Sequence, residues 1–176
     1  MSRFGRQSDE RDVMTITIRR FEPKDQEEAR TVVLEGLREH FGFVDPSLNP
    51  DLDNIQTSFI SAGDDFYVAE NDGRIVGTVG LLFGEGRARI VRMSVAKSHR
   101  KRGIATALLN QCIESAAQRG FREIWAYTQP EWPDAVGFYL CSGFEQLGRD
   151  EIDIHLRLLF GSKTHEKRDL IDGVST

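Results

Sequence analysis

The chain has little cysteine, no long apolar run and no internal repeat. Its 176 residues include two cysteines, Cys112 and Cys141, too few for a disulfide framework and lacking metal-ligand spacing. The histidines His40, His99, His155 and His165 show no such spacing either, so no metal is expected. No apolar run approaches the ~20 residues that span a bilayer, and no membrane partner is expected. Met1–Met14 is polar and charged. Without the apolar stretch of a secretory signal it reads as a flexible leader (1–13), and a cytoplasmic protein is the expectation. Positive charge is in the minority: 23 Lys and Arg against 28 Asp and Glu leave a net charge of −5. That balance weighs against general nucleic-acid binding. With 39% hydrophobic and 29% charged residues, the composition is that of a folded globular chain.

Periodicity then supplies the elements. Met14–Arg19 alternates as a half-buried strand. Asp25 and Glu28 have capping-box spacing ahead of a helix reaching His40. Asn49-Pro50 suggests the start of a second, shorter helix with Leu52, Ile55 and Phe59 as its apolar stripe. Phe66–Glu70 and Arg74–Phe83 read as strands joined through Asn71-Asp72-Gly73, and Ala88–Val95 as the next strand. A helix follows with Ala105, Leu108, Leu109, Cys112, Ile113 and Ala116 on one face, stopped at Gly120. Then come a strand near Glu123–Thr128, a short helix from Pro133 to Ser142, and strands Phe144–Gly148 and Ile152–Phe160. Residues 14–160 are expected to form one domain, with 161–176 a flexible tail. Hairpins in the middle and alternating strands and helices later imply a mixed α/β sheet with helices on both faces.

The segment richest in chemistry is Met93–Ala105. A strand ends, a basic glycine-bearing loop follows, and a helix begins. Free backbone N–H groups and the helix dipole at such a junction favour an anion. Gly103 allows a ligand close to the backbone. Lys97, Arg100, Lys101 and Arg102 add positive charge to an otherwise acidic chain. Charge alone fits a solvated basic loop equally well. A Walker loop and a dinucleotide fingerprint are both missing.

Arg100-Lys101-Arg102-Gly103-Ile104-Ala105 matches [QR]-x-x-G-x-[GA], and Ala135–Phe144 matches A-x-x-x-Y-x-x-x-G-F. With Arg92–Val95 as a fourth strand and Gly73–Gly77 as the hairpin into a third, the chain resembles the GNAT superfamily of N-acetyltransferases from about Ile16 to Phe160. The resemblance implies a mostly antiparallel, twisted sheet of about seven strands, splayed between the fourth (Arg87–Val95) and fifth (Arg122–Thr128). It implies acetyl-CoA as co-substrate. The backbone of Arg100, Lys101, Arg102, Gly103, Ile104, Ala105 and Thr106 would hold the pyrophosphate. Met93, Ser94 and Val95 would receive the pantetheine arm, and Lys97, Lys101 or Arg102 would reach the adenosine phosphates. It further implies direct transfer to a primary amine, small molecule or peptide, and a possible homodimer.

Within that family Tyr139 aligns with the tyrosine that protonates the departing thiolate. A phenol of reference pKa ~10 suits the task, although position alone also fits a core aromatic. Backbone N–H groups at the Ser94–Val95 end are candidates for the oxyanion. No base is assigned: Ala88–Val95 lacks a carboxylate, Glu123 starts its strand too early, and Glu131, Asp134 and His155 remain candidates. Trp132 occupies a position where several relatives carry asparagine; it either lines a channel or covers the sheet edge. Cys141 on a short helix reads as filler rather than a nucleophile. Competing functions are a non-catalytic acyl-CoA sensor and, less compatible with the net charge, a nucleic-acid contact at Lys97–Arg102.

Overall fold

A computed structural model describes residues 15–161. The expected leader (1–13) lies outside the described residues, as does the expected tail apart from Gly161. One seven-stranded sheet runs in the order β1-β2-β3-β4-β5-β7-β6. Its strands are β1 (Ile16–Arg20), β2 (Asp65–Asn71), β3 (Arg74–Gly84), β4 (Arg87–Val95), β5 (Glu123–Thr128), β6 (Glu145–Arg149) and β7 (Ile154–Leu159). Every neighbouring pair is antiparallel except β4 and β5, which run parallel. Among the described residues no helix is long and apolar enough to cross a membrane.

Two cores lie on opposite faces. On one, α2 (Ile104–Gln118) and α3 (Pro133–Cys141) pack over β3, β4, β5 and β7. The buried stripe of α2 is Ile104, Leu108, Leu109, Cys112 and Ala116, the 3.6-residue pattern of an amphipathic helix. On the other face, α1 (Gln26–Phe41) and the segment after it bury Val32, Val33, Leu52, Ile55 and Phe59 against Phe66 and Val68. Gly36 of α1 faces Ser94 of β4. A Cβ there would lie 2.5 Å from Ser94 Oγ, so a larger residue would displace the hydroxyl that donates to Val32 O.

The stretch between α1 and β2 corrects the expected second helix. It forms two 3-10 turns, Pro46–Leu48 and Pro50–Leu52, and a π turn, Gln56–Ile60. Both prolines lack an N–H, and local side chains compete for the rest. Asp45 Oδ1 accepts from Ser47 N at 2.9 Å, and Asn54 Oδ1 accepts from Thr57 N at 2.9 Å. Ile55 N donates to Gln26 Oε1 of α1 at 3.0 Å. The apolar stripe is nonetheless buried, with Leu52 and Ile55 fully inaccessible.

Two smaller expectations also change. Asp25 and Glu28 form no capping box. Asp25 is buried and accepts from Arg19 (2.7 and 2.9 Å) and Glu22 N (2.8 Å), while Glu28 accepts from Ile75 N at 2.8 Å. Ile152 is not in the last strand: it is 63% exposed, in a turn where Asp150 Oδ1 accepts from Ile152 N (2.8 Å) and Asp153 N (2.7 Å). Those two bonds, helped by His155, hold the Asp150 carboxyl down to about 2.

Candidate functional site

The parallel pairing of β4 and β5 covers only Ala88–Ile90 against Ile124–Ala126. Past that point each strand goes its own way. The rest of β4 pairs only with β3, and Tyr127 and Thr128 pair only with β7. The sheet is therefore split open between β4 and β5. A bulge in the β3–β4 register sets the bend, with Arg92 at φ 53°. Arg92 stays in that left-handed conformation because its side chain is held: Nε and Nη2 donate to Asp51 at 2.8 and 2.6 Å, and Nη1 to Asn49 at 2.9 Å. The irregular segment thus fixes the position where β4 turns away. At the opposite end of the sheet, buried Asp65 receives Arg20 (2.6 Å) and Arg119 (3.0 Å), with Tyr67 and Ser115 also bonded to it.

The basic loop lies at the split end. Gly103 begins α2 at φ 80° with no side-chain cap on the helix, leaving its first N–H groups to an external acceptor. Nothing lies within 4 Å of where a Gly103 Cβ would be. Ile104 buries its side chain in the core, whereas Lys101, Arg102 and Thr106 are exposed. Arg100 turns away: Nη1 and Nη2 meet Glu39 at 2.7 and 3.0 Å, and Nε donates to Val95 O at 2.9 Å. Its side chain ties the loop to α1, and its charge is matched there.

On β4, Ser94 Oγ donates to Val32 O at 3.0 Å, under α1. Met93 and Val95 pack on the α2 side. Tyr139 projects from α3 into the same core, 6% exposed, its ring edge-on to Phe138 and Phe144. Burial, with the nearby Cys112, pushes the Tyr139 phenol well above its ordinary value, so it stays protonated at neutral pH. One further residue escaped the sequence reading. Thr128 closes β5 beside the split, and its buried Oγ1 has no hydrogen-bond partner. Such an orphan is costly unless something occupies it, and a lone threonine ending a strand carries no sequence signal.

The remaining candidates lie on β5 and in the segment after it. Glu123 is at the far end of β5, bonded to Trp125 Nε1 (2.8 Å) and Arg157 (3.5 Å). Glu131 and Asp134 are exposed. Trp132 caps α3 and stacks on His40 (4.3 Å), with Phe41 edge-on at 5.3 Å. It joins the β5–α3 loop to the end of α1.

A sheet opened beside an uncapped helix N-terminus also marks a known family, and the sequence profile of the acetyltransferase (GNAT) family matches residues 30–144. The chain belongs to the GNAT family of acetyltransferases. Curated relatives include rat N-acetyltransferase 8, 34% identical over 130 residues (70% of this chain, 59% of the relative). Human N-acetyltransferase 8B is 33% identical over 124 residues (66% and 55%). The aligned stretch thus spans under two thirds of each relative's length. Among solved structures, a GNAT acetyltransferase of Staphylococcus aureus superposes with TM-score 0.76 at 24% identity, covering 82% of this chain and 99% of that one. The PaiA N-acetyltransferase of Thermoplasma acidophilum, in complex with coenzyme A, gives 0.75 at 17% identity, covering 84% and 100%. At these identities the two superpositions speak for the fold.

Proposed function

We propose that this GNAT protein transfers the acetyl group of acetyl-CoA directly to a primary amine. The observation that carries the reading is the coincidence, at one end of one sheet, of an open strand edge, an uncapped α2 N-terminus and a buried phenol. The groups match the parts of the donor. The N–H groups from Gly103 to Thr106, with Lys101 and Arg102 beside them, suit a pyrophosphate. The unpaired edge of β4 at Met93–Val95 suits a pantetheine amide, and the orphaned Thr128 hydroxyl offers it a further partner. The Thermoplasma relative, whose structure holds coenzyme A, supports the same choice of ligand.

The chain's own groups then account for the chemistry. As the amine nitrogen bonds to the acetyl carbon, backbone N–H groups at the end of β4 stabilise charge on the carbonyl oxygen. The carbon–sulfur bond breaks, and Tyr139, kept neutral by burial, supplies the sulfur's proton.

The test is a thermal-shift titration with acetyl-CoA, repeated on Tyr139→Phe. Ligand at ~100 times its dissociation constant adds about 2.7 kcal/mol, a rise of roughly 5–10 °C for a chain of this size. The parent should release CoA thiol with an amine, and Tyr139→Phe should keep the shift and lose about 100-fold or more in turnover. A full shift with no turnover on a broad amine panel would favour an acyl-CoA sensor. No shift at millimolar acetyl-CoA would remove both readings.

A further inference from the structure

The sheet face turned away from α2 and α3 carries a histidine on β7, one strand behind the split. Ile124, Ala126, Ile154 and Leu156 belong to the α2-side core. By alternation Tyr127 and His155, which pair across β5 and β7, point to the other face. There the two rings stack at 4.5 Å and 28°, just beyond Ala126, where β4 and β5 part. α1 lies over β3 and β4, and the His155 side chain keeps 32% exposure. Its Nε2 lies 2.8 Å from Asp150 Oδ2. An ionised carboxylate only accepts, so Nε2 carries a hydrogen, and in the neutral ring the lone pair is then on Nδ1. Among the described residues Nδ1 has no partner.

We propose that His155, oriented by Asp150, is the base that takes the proton from the attacking amine; the proposal rests on the acetyl-transfer reading. The amine nitrogen bonds to the acetyl carbon, its proton passes to Nδ1 directly or through one water, and the carbon–sulfur bond breaks. The sulfur's proton comes from Tyr139, on the opposite face. Acid and base thus stand on the two sides of the sheet, and neither must exchange its proton with the other during the transfer. The charged groups around the imidazole are few. Asp150 comes from the β6–β7 turn, and Arg89 of β4 lies 5.3 Å over the Tyr127 ring. Arg157, two residues on, is occupied by Glu145 (2.6 Å) and Glu123 (3.5 Å). Asp150 is a positioning residue: it fixes which nitrogen carries the hydrogen.

The experiment compares the parent with His155→Gln, using saturating acetyl-CoA and saturating benzylamine and following CoA thiol release from pH 6.5 to 9.5. Acetyl-CoA affinity, measured by calorimetry, should be the same in both. Turnover of His155→Gln should be down about 100-fold or more at pH 7. The deficit should shrink at least about tenfold by pH 9.5, where far more of an alkylamine of reference pKa ~10 is already neutral. A variant within threefold of the parent, or a deficit that does not change with pH, overturns the assignment. If acetyl-CoA fails to bind the parent, the acetyl-transfer reading itself has failed. Where acetyl-CoA binds but benzylamine is not acetylated, the imidazole nitrogens decide the matter by proton–nitrogen correlation NMR on the acetyl-CoA complex. Hydrogen on Nε2 with a bare Nδ1 is the expected result, and hydrogen on Nδ1 of the neutral ring overturns the proposal.

Discussion

The two faces of the split are built in different ways. On the α2 side, the basic turn into the helix is a run of consecutive residues, Arg100–Thr106, with no side-chain cap on the helix. On the α1 side, side chains from separate elements meet: Arg92 with Asp51 and Asn49, Trp132 with His40, and His155 with Tyr127. A backbone cradle is reproduced wherever the same local turn forms, and suits an invariant donor. A surface assembled from side chains changes with each substitution, and suits a variable acceptor.

The contrast can be broken first at its cores. Leu52 of the irregular segment and Leu108 of α2 are both completely buried, so each Leu→Ala change should cost about 2–5 kcal/mol. Urea unfolding checks the stabilities. In the acetylation assay, only Leu52→Ala should alter the KM for amine, since Leu52 neighbours the Asp51 that holds Arg92. An equal effect of Leu108→Ala on that KM would mean the faces are not separable.

Next in size is Gly103→Val. A β-branched residue at φ 80° strains the loop by roughly 1–3 kcal/mol and places methyl groups where a ligand must approach. Acetyl-CoA affinity by calorimetry should fall about tenfold or more, with the helical circular dichroism and the environment of Trp132 unchanged. Retained affinity would argue that the cradle is not made of backbone.

The smallest effect concerns the acceptor side and acid. Backbone N–H groups of Asp153 and Ile152, and then His155, depress the Asp150 carboxyl to about 2, below its ordinary ~3.9. A group depressed in the folded state stabilises it above the unfolded pKa and loses that contribution as pH falls through the folded one. The β6–β7 turn should therefore loosen between about pH 4 and pH 2, seen as faster amide exchange at Ile152 and Asp153. Asp150→Asn should remove the pH dependence. The α2 N-terminus, which has no such carboxylate, should serve as the unchanged control.

Much of this architecture is legible in the chain. Strand alternation, the α2 stripe and the glycine stop at Gly120 locate most elements to within a residue or two. The two motif segments carry the family resemblance that the profile match bears out. The misread places share a cause. Between Asp45 and Ile60 the apolar spacing is helical, but prolines and short polar side chains divert the backbone bonds into 3-10 and π turns. Asp25 and Glu28 have the spacing of a cap, yet each finds a stronger partner from another element: the Arg19 guanidinium for one and the Ile75 N–H for the other. Arg100 reads as one more positive charge of the basic loop, but Glu39 on α1 claims it at 2.7 Å.

By itself the sequence determined the order of strands and helices, the faces they bury, and the basic turn into α2, because each depends on residues within one or two turns of each other. Tertiary structure alone decided where β4 leaves β5, what holds Arg92 at its bend, and which carboxylate faces His155 Nε2. Those outcomes depend on which side chains meet across the fold, and a two-residue period tells a side chain its face but not its neighbour.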